Sequence, residues 1–144
     1  MTIMTTRTVA FIVTGAVCMA AGFALAKSTY PPVQVLVSTE KTTIGQDIVY
    51  PDGTPKITGA IVTMQPGGTT GWHKHDAPLF GWVMEGEVTV DYGDAGTKTY
   101  KKGDAFIEAL ESYHNGKNTG ETITRILAVF SGADGVANTV MKAE

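Results

Sequence analysis

Cysteine is nearly missing from this 144-residue chain: there is one, Cys18, so no disulfide can form within it. Sustained helical periodicity is missing too, which excludes a helical bundle. No G-x-S-x-G turn marks a nucleophilic serine, and no phosphate-cradling glycine loop follows a strand; Gly67-Gly68 reads as a strand turn. Basic residues form no cluster beyond Lys101-Lys102, and acids outnumber bases to give a formal net charge of −3, so nothing points to nucleic acid. Histidine is scarce as well, three in all. There is no internal repeat and no low-complexity linker.

Long apolar runs are confined to the start. Arg7 precedes VAFIVTGAVCMAAGFALA, which ends in Ala24-Leu25-Ala26 before Lys27. A positive start, an apolar middle and an A-x-A end predict a secretory signal peptide over residues 1–26, cleaved after Ala26. Val17 is bulky where lipoprotein processing at Cys18 wants a small residue, so lipidation is not expected. Cleavage would remove the cysteine and Arg7, leaving ten Lys and Arg against fourteen acids, a net charge near −4. The expected mature chain, residues 27–144, is then periplasmic or secreted, with no stable membrane insertion.

That mature chain has the composition of one soluble domain. Pro31-Pro32 forbid a helix at its beginning, and a β-rich run over Val33–Val37 suggests an N-terminal arm spanning about 27–45. Short apolar runs then alternate with turn signals at Pro51-Asp52-Gly53, Pro66-Gly67-Gly68, Gly93-Asp94-Ala95-Gly96 and Gly103-Asp104. Short strands punctuated by glycine and proline predict an all-β sandwich or barrel. ITRILAVFSG reads as its closing strand, and GVANTVMKAE as a short loose tail.

The histidines fall in two places: GWHKHDAPLFGWVMEG holds His73 and His75, and GDAFIEALESYHNGKN holds His114. Side chains two apart on a strand share a face, so His73 and His75 project together while Trp72 and Lys74 project the other way. Two imidazoles on one face are half of a metal site, and a third from a distant strand leaves open positions for water or substrate.

The spacing resembles the cupins. Their first motif is a glycine, five residues, His-x-His, three or four residues, Glu, six residues and Gly; Gly67, His73, His75 and Gly86 are in register. Their second is a glycine, five residues, Pro-x-Gly, two residues, His, three residues and Asn; Gly103, His114 and Asn118 match. The chain departs at Leu79, which stands where the motif has glutamate, and at Ala109 and Glu111, which replace proline and glycine. The resemblance implies a double-stranded β-helix, or jelly-roll barrel, with one divalent metal on His73, His75 and His114. Iron is the first expectation, with Mn, Ni, Zn or Cu as alternatives. Without the glutamate the ion would be a stronger Lewis acid with less preference for hard donors.

Other residues follow from that frame. Glu108 interrupts an apolar run; it either lies outward in solvent or, inward, replaces the missing ligand or serves as a general base. Glu111 is the other carboxylate upstream of His114. Trp72, Leu79 and Tyr113 are candidates for a substrate pocket, together with Trp82, and Asn118 for a turn in NGKNTG. If Leu79 faces inward with Gly81, Val83 and Glu85, then Phe80, Trp82 and Met84 make an apolar outer patch, covered by the arm, by the partner of a homodimer or by a second sheet of the same sandwich. Function divides between a metalloenzyme acting on a small organic molecule (dioxygenase-, lyase- or isomerase-like) and a non-catalytic module that binds a metal or small ligand.

Overall fold

Gly and Pro punctuation produces nine strands and no α-helix among the residues that the computed structural model describes, 31–143. The expected signal peptide lies outside those residues. Contacts divide the chain at Val33/Gln34, and the architecture that follows is that of the second unit.

The strands are β1 (Pro55–Met64), β2 (His73–Lys74), β3 (Leu79–Glu85), β4 (Glu87–Asp91), β5 (Thr97–Lys101), β6 (Ala105–Ile107), β7 (Asn115–Lys117), β8 (Thr124–Ala133) and β9 (Val140–Met141). They make a four-stranded sheet ordered β1-β8-β3-β6, a three-stranded sheet ordered β5-β4-β7 and a two-stranded ribbon β2-β9, antiparallel throughout. This is the all-β jelly roll of the sequence reading. The turn at Gly93–Gly96 joins β4 to β5 through a single 3-10 turn.

Period-two alternation decides the core. On β3, Leu79, Gly81 and Val83 are buried while Phe80, Trp82 and Met84 are half-buried on the other face; on β8, Thr124, Ile126, Ala128 and Phe130 are buried. A bulge between Val83 and Glu85 ends that alternation, and Glu85 is exposed. One cluster joins Met64, Val83, Val88, Val90, Phe106 and Ile126, and a second joins Leu79, Ala128 and Phe130, with Val62 against both. Val83 and Val88 are almost wholly enclosed, each stabilising the fold by about 1.5–3 kcal/mol. Residues of both clusters line a cavity.

Two glycines make this packing possible. Gly86 turns the chain from β3 into β4 at φ +72°, where a Cβ would meet the Ile123 carbonyl oxygen at 2.5 Å. Gly81 lies under the Phe106 ring, 2.5 Å from where its Cβ would be, so the ring folds onto β3.

Two expectations need correction. Val33–Val37 forms no strand, and Val35 and Leu36 are exposed: nothing within the described residues pairs with them. The arm is held further on, where Thr43 N–H donates to the Ile107 carbonyl, and the Gln46 side chain bonds both the N–H and the carbonyl of Leu110. The tail is not loose either, since Val140 and Met141 pair with Lys74 and His73.

Candidate functional site

Backbone pairing brings the distant histidines together. His73 N–H donates to the His114 carbonyl at 2.9 Å, and His114 N–H returns the bond to His73 at 2.8 Å. Residues that exchange both bonds of an antiparallel bridge project side by side, so the two imidazoles share one face. His75 joins them from two residues along. The ring centroids are 4.5–5.0 Å apart, all three residues are buried, and one ring nitrogen from each falls within 4.8 Å of the others.

Each ring is oriented by its other nitrogen. Nδ1 of His73 donates to the Gly71 carbonyl at 2.9 Å, that of His75 to the Asn138 carbonyl at 2.7 Å, and that of His114 to the Ser112 carbonyl at 2.9 Å. A proton fixed on Nδ1 leaves the Nε2 lone pair free, which is the tautomer a metal needs. Asn138 belongs to the tail read as loose, and sequence spacing gives no hint of a backbone carbonyl in this role.

Burial discourages charge on the imidazoles. Desolvation lowers all three pKa values, that of His75 to about 3, so they are neutral near pH 7. His114 Nε2 is fully enclosed and has no hydrogen-bond partner among the described residues. An unpartnered buried acceptor costs about 1–3 kcal/mol.

Glu108 is inward, not solvated. Its Oε2 lies 3.8 Å from His114 Nε2, too far for a hydrogen bond, while Oε1 accepts the Ala109 N–H at 2.8 Å. Burial raises its pKa, opposed by the Ala109 N–H and the Tyr92 hydroxyl. Its location follows from the sheet. Phe80 pairs with Ile107, and one step on, Glu108 N–H donates to the Leu79 carbonyl at 2.9 Å. Glu108 is therefore the cross-strand neighbour of Leu79, the position where the resemblance puts a carboxylate.

The cavity holds about 300 Å³. The three histidines and Glu108 line it together with Leu79, Val62, Phe106, Ile126, Phe130 and Met141. Trp72 and Tyr113 do not line it. Each precedes a histidine by one residue and so projects to the opposite side, where both rings meet Lys142 Nζ, at 5.7 and 5.6 Å from their centroids. Trp82 is on the outer face of β3, and Glu111 is exposed and does not line the cavity. Asn118 braces its turn: its amide donates to the Met64 and Thr122 carbonyls, and its side-chain oxygen accepts the Gly120 N–H. Sequence reading missed Tyr92, buried with its ring 5.8 Å from that of His114. Its hydrophobic neighbours in EVTVDYG make it look like ordinary core.

Comparison with known proteins agrees with the geometry. Residues 60–130 match the cupin domain family. Among solved structures, an oxalate oxidase is 26% identical (TM-score 0.52), with 59% of this chain and 45% of that one covered. The Lactobacillus farciminis oxalate decarboxylase in its formate complex is 24% identical (TM-score 0.52), with 59% and 26% covered. An uncharacterized conserved protein with a double-stranded β-helix domain from Klebsiella pneumoniae is 18% identical (TM-score 0.52), with 67% and 91% covered. The chain thus spans less than half of either oxalate-processing structure. No curated protein matches it. Nine antiparallel strands among the described residues, three histidines lining the cavity between them and the match over residues 60–130 support the cupin superfamily for this chain.

Proposed function

We propose that this protein is a metal-dependent enzyme acting on a small organic molecule, with one divalent ion held by His73, His75 and His114 and with Glu108 as the carboxylate beside it. The observation that carries this is the enclosed, unpartnered Nε2 of His114, next to two imidazoles whose Nδ1 protons are likewise tied to backbone carbonyls. Three such lone pairs and a buried carboxylate suit a cation. A bound divalent ion supplies Lewis acidity toward an oxygen donor and open positions for a ligand. Glu108, in the place next to Leu79, restores the harder oxygen donor that the first motif lacks, which favours iron or manganese over softer ions.

The chain's own residues do the rest. Glu108, with its pKa raised by burial, can hold or release a proton at Oε2, which faces the histidine cluster. The apolar walls exclude water and strengthen that interaction. The test is elemental analysis of protein purified without chelator: close to one equivalent of a divalent metal is expected, and a chain with none rejects the reading. Metal without turnover on any small oxygenated substrate would favour the non-catalytic binding module.

Two further parts of the reading concern the chain's surroundings. Export is supported by Ala24-Leu25-Ala26, and mass spectrometry of protein from its source cell should find Lys27 as the first residue. A homodimer is supported by the apolar outer face of the four-stranded sheet, where Ile57 and Ile61 are 68% and 55% exposed.

A further inference from the structure

The walls of the cavity narrow what can enter it. Its polar groups are concentrated at the histidine end, and the rest is hydrocarbon, thioether and aromatic: Val62, Leu79, Phe106, Ile126, Phe130 and Met141. Among the described residues, no lysine or arginine lines it. The one charged side chain is an acid, Glu108, almost fully buried. The other polar groups are already engaged. Thr70 Oγ1 donates to the Gly71 carbonyl at 3.0 Å and accepts the Gly116 N–H at 2.9 Å, and Thr139 Oγ1 lies 3.5 Å from His75 Nδ1.

Such a pocket offers a small dianion no basic side chain. Oxalate, the substrate named for two of the similar structures, carries two charges over six heavy atoms. Here its charge would be met only at the histidine end, beside the Glu108 carboxylate and with no basic side chain to pair with it, and its outer oxygens would lose hydration against apolar walls. It would also leave most of the space unfilled. At about 300 Å³ the cavity is about twice the volume of an engineered apolar cavity that takes up benzene, about 150 Å³.

We infer that the substrate is a neutral, mainly apolar molecule of the bulk of an alkyl-substituted ring, with a single oxygen-bearing head directed at the histidine end and Glu108. This rests on the reading of the site as a metal centre, but the two can fail separately. The head oxygen is the group that meets the polar end, and a hydroxyl there can donate to the Glu108 carboxylate. The body fills the space between Leu79, Phe106 and Phe130, whose rings and branched carbons offer contact without charge. Met141, on the two-residue β9, contributes a thioether that adapts to the ligand's outline.

Calorimetric titration tests this, using phenol, 4-methylphenol, 4-ethylphenol, 4-propylphenol and oxalate as probes and with metal content measured on the same sample. Each added methylene should tighten binding about fourfold until the cavity is full. Oxalate should bind at least about tenfold more weakly than 4-propylphenol. Ala128→Phe fills the space from β8 and should abolish the gain along the series while leaving metal content unchanged. Should that variant not fold, Leu79→Arg supplies the missing cation and should reverse the preference toward oxalate. Metal-loaded protein that binds oxalate as tightly as 4-propylphenol, or that is indifferent to chain length, overturns the substrate class. Protein without metal that still follows the alkyl series overturns the metal reading and leaves the substrate class standing.

Discussion

Phe130, Leu79 and Glu108 follow one another across the inner face of the four-stranded sheet; one residue along each strand, Val129, Phe80 and Ile107 follow one another across the outer face. A second outer row runs Ile61, Leu127, Trp82 and Ala105. The two faces are nearly as apolar as each other, yet the inner one ends in a carboxylate and three imidazoles around a cavity, and the outer one carries no titratable group in these rows. Composition alone cannot tell them apart. What separates them is where the chain returns: the bridge between His73 and His114 lies over the inner face, so that face acquires polar chemistry. The outer face has only the apolar surface that a partner would bury.

The largest effect should come from breaking the inner face at its polar end. His75→Ala and His114→Ala should each weaken metal binding by more than about a hundredfold, read by elemental analysis after dialysis. A variant that keeps its full metal content removes that histidine from the set. Next in size is the displaced carboxylate. Glu108→Leu should lower metal affinity about 10- to 100-fold, and adding Leu79→Glu should recover it to within about tenfold, because the two positions are cross-strand neighbours. A double variant as weak as Glu108→Leu would show that the carboxylate acts from Glu108's position only, or not on the metal.

The outer face should respond in association and not in chemistry. Ile61→Lys introduces a charge at an already exposed position, so the monomer should lose no more than about 0.5 kcal/mol. Across a dimer interface the same charge would be desolvated, and the dissociation constant should rise about tenfold or more by sedimentation equilibrium, with metal content unchanged. Unmodified protein that sediments as a monomer would reject the dimer outright.

The faces also differ in what pH does to them, since the buried titratable groups lie at the inner one. In metal-free protein, burial holds the three imidazoles below the ordinary value of 6.5, His75 at about 3. The unfolded chain binds more protons between those values, so this stability is fully present above about pH 6.5 and lost as pH falls toward 3. Glu108 has the opposite sign. Its raised carboxyl favours the folded state below the ordinary value of 4.5, and that contribution is lost as pH rises through the folded value. Glu108→Gln should therefore make metal-free protein more stable than its parent at pH 7, with the gap closing near pH 4, by denaturant titration. A gap that does not depend on pH would mean that glutamine acts through packing alone.

The sequence made the inner face legible where its signals are local or repeat with a period of two. His73 and His75 stand two residues apart at β2 and just beyond it, Leu79 to Val83 alternate, and turn glycines at Gly86 and Gly103 locate the strand ends. Trp72 and Tyr113 went astray as pocket residues even though the same alternation turns them outward. Glu108 could not be placed, because an acid in an apolar run reads alike on either face until the register of β3 against β6 is known. The tail was illegible for a related reason: two residues pairing with a strand more than sixty positions away leave no periodic pattern, and the carbonyl of Asn138 carries no side-chain signature.

The smallest effect concerns Glu111, which stands where the resembled motif has glycine. It keeps a left-handed backbone at φ +53°, the one non-glycine residue among those described with positive φ. The conformation is imposed from both sides, since Glu111 N–H donates to the His75 carbonyl at 2.8 Å and the neighbouring Leu110 is clamped by Gln46. A side chain in that region costs about 1–2 kcal/mol against glycine in the folded state, and the greater freedom of glycine in the unfolded chain offsets part of it. Glu111→Gly should therefore raise stability by about 0.5–1 kcal/mol, read as a shift in the denaturant midpoint at unchanged slope. Because the bond to His75 is made by backbone, metal content should not change. A loss of metal in this variant would mean that the exposed Glu111 side chain helps hold the loop, and with it the inner face, in place.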